Sequence, residues 1–157
     1  MNDFEMACSI HFPYALPRLG SSEFGQFYCG QGWYNNLYRF FERLQAWNVF
    51  RRILSQPTLE VVYVGNKEGH ICVETKLIAD ETQSKESWKS LELIYEDMLS
   101  DLKNACAKTC EICGKTDPVF SSVKGHTTEC KDCYAEYEAF AGSRACEDDS
   151  AYNRQQQ

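Results

Sequence analysis

The sequence predicts an α+β fold in which a helix, a β-hairpin and a second helix form the core, followed by a C-terminal module built on four cysteines. Three observations carry this prediction. Apolar residues recur at helical spacing on both sides of a central segment rich in β-branched residues, and that segment contains a turn signal. Two Cys-x-x-Cys pairs then follow in the last third of the 157-residue chain.

We expect residues 1–30 to form an irregular N-terminal arm. Glycines and the prolines Pro13 and Pro17 interrupt this segment, which argues against regular secondary structure. Its aromatic residues are nevertheless too numerous for a solvated tail. The arm should therefore pack on the body of the protein.

A helical pattern begins near residue 32. Apolar residues recur at steps of three and four, less regularly at the last two positions, and so share one broad helix face: Trp33, Leu37, Phe40, Phe41, Leu44, Trp47, Phe50 and Ile53. Pro57 ends the predicted helix, because the residue before a proline is disfavoured in the α region. We expect Trp33 and Trp47 to be core residues.

A β-hairpin and a second helix follow. Residues 58–64 and 70–77 are rich in Val, Ile, Thr and Tyr, and residues 65–69 between them carry a turn signal. Past Asp80, apolar residues again keep helical spacing with charged residues between them. The sequence therefore predicts an amphipathic helix over residues 83–107, leading directly into the first cysteine pair.

The two cysteine pairs predict a metal site. Cys110, Cys113, Cys130 and Cys133 form two Cys-x-x-Cys units separated by 16 residues, a spacing found in zinc ribbons and treble-clef knuckles. Gly114 permits a tight turn after the first pair. We expect one structural Zn²⁺ held by these four thiolates, which leave no coordination position open for a catalytic water. An iron–sulfur centre is the alternative, but the two-plus-two spacing with a long loop favours zinc.

The other cysteines are predicted to be free thiols. Cys8, Cys29 and Cys72 lie among apolar neighbours, where a free cysteine behaves as a small buried hydrophobe. Cys106 and Cys146 lie near the metal site in sequence, and the pattern assigns them no role.

Four regions are expected along the chain. The irregular arm at 1–30 precedes an α+β core at 31–108, a zinc-binding module at 109–141 and a flexible tail at 142–157. The tail is polar and ends in three glutamines, a composition typical of frayed termini.

Charge and hydropathy restrict the class of partner. The net charge of −7 argues against generic attraction to phosphate backbones, which depends on Lys and Arg displacing counterions. No apolar run approaches the roughly 20 residues needed to span a bilayer, and the N-terminus lacks the features of a secretion signal. We expect a cytoplasmic protein without membrane contact.

The order of these parts resembles a family of small uncharacterised phage and prophage zinc-binding proteins. The resemblance covers about residues 28–135 and is carried by the run Cys-Gly-Gln-Gly-Trp-Tyr-Asn-Asn-Leu at 29–37, the paired strands, and a helix entering Cys-Glu-Ile-Cys-Gly. In that family the hairpin carries a basic Lys-Glu-Lys-Phe-Gly-Gly-Leu-Arg-Phe-like signature, of which only Lys67, Gly69 and the apolar alternation match here. The resemblance implies a phage accessory protein acting inside a bacterial cell.

The first functional hypothesis is a non-catalytic, zinc-stabilised accessory protein that binds a host protein and modulates or inhibits it. The sequence contains no Gly-rich phosphate loop, nucleophile elbow or His-Glu-x-x-His motif, so we expect no enzymatic activity. Tyr14 and Tyr137 are candidate interface anchors, because exposed aromatics often carry binding energy.

Two alternatives remain. Nucleic-acid binding by a zinc ribbon is one, since the first helix carries a basic cluster of Arg39, Arg43, Arg51 and Arg52. An HNH-type nuclease is the less favoured one. It needs paired catalytic and metal-binding side chains between the knuckles, and the three histidines of the chain form no such pair.

Overall fold

The structure, a computed structural model, describes residues 1–22, 24–79, 85–116, 119–121 and 127–139. It confirms the α+β class. In chain order the elements are α1 (Asp3–His11), a 3-10 turn (Gln31–Trp33), α2 (Tyr34–Ile53), β1 (Thr58–Lys67), β2 (His70–Ile78), α3 (Lys85–Cys106), β3 (Val119–Ser121) and β4 (Thr128–Cys130). Residues 131–139 are helical. The predicted tail and Cys146 lie outside the described residues.

The expectation of an irregular arm is wrong for Asp3–His11, which form α1. Asn2 caps this helix through a capping box: its side-chain oxygen accepts from the Glu5 backbone N–H at 2.9 Å, and the Glu5 carboxylate accepts from the Asn2 N–H at 2.7 Å. Both prolines of the arm lie beyond the last helical residue, so they do not interrupt the helix. A local capping signal therefore outweighed the turn-rich composition of the segment as a whole.

The rest of the arm covers the outer edge of β1. The Val61 N–H donates to the carbonyl of Ala15 at 2.8 Å, and Tyr28 exchanges hydrogen bonds of 2.9 Å with Val64 and Asn66. An uncovered edge would expose a row of unpaired backbone groups. The arm thus pairs with the free edge of β1 at isolated points, including a parallel bridge between Tyr28 and Gly65, without forming a strand of its own.

Helix α2 is buried along one face, which includes Leu37, Phe40, Phe41 and Leu44 as predicted. Trp33, just before the helix, is fully buried, whereas Trp47 is only half-buried.

The predicted apolar face is wrong at the C-terminal end of α2. Phe50 and Ile53 are 59% and 75% exposed, while Asn48 and Arg51 occupy the buried positions. The Asn48 amide bonds the carbonyl and N–H of Leu59, and Arg51 Nε donates to the Pro57 carbonyl at 2.5 Å. Polar side chains are needed here because the chain entering β1 presents buried backbone groups that require partners.

Strands β1 and β2 form an antiparallel hairpin with Lys67 opposite His70. The turn contains only Glu68 and Gly69, so β1 extends further than the sequence predicted. Both turn residues have positive φ (55° and 81°), as the twist of a two-residue hairpin requires. The Asn66 side chain accepts from the Gly69 N–H at 2.8 Å and closes the turn.

Helix α3 agrees closely with the predicted range of 83–107. It packs against α2 and β2, with Leu91, Met98, Leu102 and Cys106 buried. The main core therefore lies between α2, the hairpin and α3. No helix within the described ranges is both long enough and apolar enough to cross a membrane.

Candidate metal centre

Four cysteine sulfurs meet where the C-terminal segment folds against the body. The first pair lies on a tight turn just after α3, which we call the first knuckle (residues 110–114). Its Gly114 N–H donates to the Cys110 carbonyl at 2.9 Å, and Gly114 has a φ of 77°. Cys130 ends β4, and Cys133 lies in the helix over residues 131–139. A knuckle, a short hairpin and a helix in this order favour the treble-clef alternative.

The spacing of the sulfurs fits a four-coordinate metal. The ligand atoms of Cys110, Cys113, Cys130 and Cys133 all lie within 4.8 Å of one another, and the Cys113 and Cys130 sulfurs are 3.6 Å apart. Tetrahedral zinc with Zn–S bonds of about 2.3 Å places its sulfurs about 3.8 Å apart. A disulfide would need about 2.05 Å. The four cysteines therefore converge as their spacing predicts, in a geometry that suits one metal ion.

The backbone around the site favours a thiolate at Cys110. Burial alone would raise the pKa of this thiol, but N–H groups of Cys113, Cys130 and Ile112 donate to its sulfur and lower the pKa to about 7. Burial instead raises the pKa of Cys133. Near pH 7 the Cys110 thiol is therefore already partly ionised, whereas a metal ion must displace a proton from Cys133, so metal binding depends on pH.

One face of the site is open to solvent. Cys113 is exposed, and Ile112 beside it is 50% exposed at the tip of the first knuckle. The Lys115 ammonium bonds the Asp132 carboxylate at 2.8 Å, which links the two cysteine pairs across the surface. This exposed ion pair contributes little to stability.

Glu111, inside the first cysteine pair, connects the metal centre to the rest of the protein. It is buried, and one carboxylate oxygen accepts from the Gly30 N–H at 2.9 Å while the other accepts from the Asn66 side chain at 2.5 Å. Its backbone N–H donates to Thr128, and its carbonyl accepts from Gly32, each at 2.7 Å. One residue thus bonds the arm, the main hairpin and β4.

The first knuckle rests directly on residues 30–33, which we call the 30–33 corner. A Cβ on Gly30 would stand 2.4 Å from the Glu111 carbonyl oxygen, and one on Gly32 would stand 2.0 Å from that of Cys110. The Trp33 indole N–H donates to the Thr109 carbonyl at 2.9 Å. Only glycine fits both positions, because the two backbones are in contact.

The sequence did not predict Glu111 or the two corner glycines as parts of the site. The Gly-Gln-Gly-Trp run contributed only to the family resemblance. The available signal was a pair of glycines separated by one residue immediately before a helix, which suggests a close backbone approach. Nothing in the sequence indicated which segment would approach.

The four arginines of the nucleic-acid alternative do not form one basic face. Arg43 is paired with Asp101 at 2.7 Å, and Arg51 is buried beneath the Trp47 ring. The Arg52 guanidinium lies 4.5 Å from the centre of the Tyr14 ring, whereas Arg39 is exposed. A phosphate-tracking surface needs several cations on one continuous face.

Three of the described cysteines outside the cluster, Cys8, Cys29 and Cys106, are poorly suited to reaction. Cys8 and Cys106 are buried, and Cys29 and Cys72 are half-buried. Burial raises the pKa of Cys8, Cys29 and Cys106 to about 12, which keeps them in the unreactive thiol form. The expected core packing is found for Cys8, and Cys29 packs against the core while half-buried, whereas Cys72 is half-buried outside the core cluster.

Comparison with known proteins adds no relative: no family model, curated protein or solved structure matches the chain. The likeness to phage and prophage proteins thus rests on the sequence motifs alone.

Proposed function

We propose that this chain is a non-catalytic, zinc-stabilised protein that binds another protein through the outer surface of α2. The observation that carries the proposal is a group of exposed apolar side chains at the C-terminal end of this helix, which we call the α2 patch. Its members are 37%, 59%, 75% and 48% exposed, respectively: Val49, Phe50, Ile53 and Leu54.

The arrangement of the α2 patch is unusual for a surface that only meets water. Single exposed apolar residues are ordinary, but residues three or four positions apart on a helix are neighbours. The pairs Val49–Ile53, Phe50–Ile53 and Phe50–Leu54 have this spacing, so the four side chains form one surface. The opposite face of the helix is already occupied by the core, with Leu44 fully buried. The patch is therefore additional apolar surface beyond what the fold uses.

The border of the α2 patch has the composition of a protein interface. Arg52 follows Val49 by three residues, and its guanidinium stacks over Tyr14, which is itself 43% exposed. Tyrosine and arginine are enriched at interfaces, where they contribute strongly to binding energy. The partner surface that fits is an apolar pocket with carboxylates on its rim, which would pair with Arg52.

The proposed metal is a single structural Zn²⁺. Four converging thiolates satisfy the tetrahedral preference of zinc and leave no open position for substrate or water. The site therefore contributes folding energy, and the surface that it stabilises provides the binding function.

The resemblance to phage and prophage proteins supports a narrower version of the proposal. If it holds, the partner is a protein of the bacterial host, which the chain modulates or inhibits in the cytoplasm. Identification of the captured partner tests this part of the proposal.

Affinity capture from the bacterial host with quantitative mass spectrometry tests the proposal. Wild type is compared with a Phe50→Asp, Ile53→Asp double variant and with Leu93→Asp, a control that places the same charge at a 67% exposed position on α3. We expect one stoichiometric protein with wild type and the control, lost in the double variant. Thermal melting first verifies that all three chains fold.

The captured protein is then purified and its affinity for each variant is measured by calorimetry. Equal affinity for all three chains would refute the role of the α2 patch. Recovery of nuclease-sensitive nucleic acid in place of a protein would refute protein binding and favour the nucleic-acid alternative.

A further inference from the structure

The geometry points to Glu111 as a coupling residue. We infer that metal binding at the four cysteines is cooperative with docking of the 30–33 corner against the first knuckle, which we call seating of the corner. The Glu111 carboxylate transmits this coupling. The inference rests on the metal-binding part of the proposed function. The inference goes beyond a zinc ion that stabilises only the C-terminal module, because it links the ion to the N-terminal half of the protein.

The coupling begins with the position of Glu111 in the chain. It lies between Cys110 and Cys113, so binding of both sulfurs to one ion restricts the backbone on either side of it. The same residue holds Gly30 and Asn66 through its carboxylate. Metal binding that restricts the backbone around Glu111 therefore also restricts the positions of the arm and of the hairpin turn.

The tight fit between the first knuckle and the 30–33 corner makes their docking depend on the shape of the knuckle. The Gly32 N–H donates to the Glu111 carbonyl at 2.7 Å, and the corner glycines leave no space for a Cβ. Such a contact forms only when the knuckle backbone has its folded shape. We expect a knuckle without metal to sample other shapes, because the ion would fix both ends of its exposed tip through the sulfurs of Cys110 and Cys113.

Partial seating of the corner has an energetic cost. A buried carboxylate is tolerated only when its oxygens are hydrogen-bonded, and leaving one unsatisfied costs more than the bond itself contributes. If the corner or the Asn66 side chain withdraws, the Glu111 carboxylate loses a hydrogen-bond donor while still buried. Partly seated arrangements are therefore disfavoured, and the corner and knuckle should dock together.

Linkage then gives a measurable consequence. If metal binding favours the seated corner, the seated corner must favour metal binding by the same factor. Residues that orient metal ligands typically change metal affinity about 10- to 100-fold when removed. We expect a loss of this size for Glu111→Ala, and a smaller one for Glu111→Gln, whose amide oxygen still accepts one hydrogen bond.

The test uses the full chain with Zn²⁺ and Co²⁺ as probes. Zinc affinity is measured by competition with a chromophoric chelator, and thiolate-to-cobalt absorption bands report whether the site still assembles. Hydrogen exchange at the amides of Gly30 and Gly32 is followed with and without zinc. We expect zinc to slow this exchange in wild type and to slow it much less in Glu111→Ala.

Glu5 provides a matched control. It is also a buried glutamate, 2% exposed, and it accepts from the backbone N–H groups of Asn2 and Phe27 at 2.7 and 2.6 Å. Glu5→Ala should lower thermal stability while leaving zinc affinity unchanged. If both glutamate variants weaken zinc binding equally, the effect reflects general destabilisation and the inference is overturned.

Two further outcomes are decisive. Wild-type zinc affinity in Glu111→Ala, Glu111→Gln and Asn66→Ala would overturn the coupling while leaving the metal site intact. Wild type that binds neither zinc nor cobalt would overturn the metal-binding part of the proposed function and the coupling with it. If Glu111→Ala fails to fold, the Gln and Asn66 variants still decide the question.

Discussion

Gly32→Ala should strongly destabilise the protein, because residue 32 touches the backbone of the first knuckle. An added Cβ would lie 2.0 Å from the Cys110 carbonyl oxygen and 2.6 Å from the Gly114 nitrogen. These neighbours are backbone atoms next to the metal ligands, so a side-chain rotation cannot relieve the clash. The corner and the knuckle must therefore move apart.

The magnitude follows from the hydrogen bonds that break when the corner and the knuckle separate. The bonds from Gly32 to the Glu111 carbonyl and from Trp33 to the Thr109 carbonyl are neutral, and the bond from Gly30 to the Glu111 carboxylate is charge-assisted. At about 1 kcal/mol for each neutral bond and about 1.5–3 kcal/mol for the charged one, the loss is about 4 kcal/mol. Small domains have total stabilities of about 5–15 kcal/mol.

Urea denaturation followed by tryptophan fluorescence measures the change, since Trp33 is fully buried in the folded state. With an m-value of about 2 kcal/mol/M, the midpoint should fall by about 2 M. Gly25→Ala is the control, because its added Cβ would have its closest contact, the Ser21 carbonyl oxygen, at an ordinary 3.7 Å. Both substitutions restrict the unfolded chain similarly, so the difference between the urea midpoints of the two variants reports the effect of the clash alone. Equal midpoints would refute the tight docking of knuckle and corner.

Four other predictions follow from the same structure. Elemental analysis should find one zinc per chain, and iron or a ratio near zero would contradict the proposed metal. Cys113→Ser should raise proteolytic cleavage within residues 105–139 and also at the 30–33 corner, whereas damage restricted to residues 105–139 would mean that the module is independent. Trp33→Ala should cost roughly 3–5 kcal/mol in a thermal or urea melt, and the half-buried Trp47 should cost less when truncated. Cobalt titrations should show metal affinity falling as pH drops, and falling more steeply below about 7, because protons then also compete at Cys110, whose pKa is about 7; affinity independent of pH would contradict thiolate binding.

The elements that depend on nearby residues were predictable from the sequence. The period of apolar residues indicated α2 and α3, and the β-branched runs indicated the hairpin, because these signals arise within one element. The convergence of the four cysteine sulfurs was predictable for the same reason, since each Cys-x-x-Cys turn positions two sulfurs by itself. Even α1 had a local signal in the capping box of Asn2 and Glu5, although the surrounding glycines and prolines obscured it.

The exposure of the α2 patch was decided by tertiary structure. Helical periodicity groups Phe50 and Ile53 with the core residues, yet the chain turning into β1 brings buried carbonyls to that end of the helix. Asn48 and Arg51 satisfy those groups, so they occupy the buried side and the apolar pair faces outward. A sequence pattern cannot contain this requirement, because it arises from where another segment ends.

The position of the metal centre on the body of the protein was also decided by tertiary structure. The sequence by itself determined which cysteines could share an ion, because their spacing is a local property of two turns. It did not indicate that Glu111 bonds Gly30, which lies 81 residues away in the chain. A buried carboxylate needs hydrogen-bond donors, and a glycine pair allows another backbone to approach closely. Many segments of the chain could supply the donors or the approaching backbone. Only the packing of α3 against α2 and the hairpin brings the knuckle to the corner, where both needs are met together.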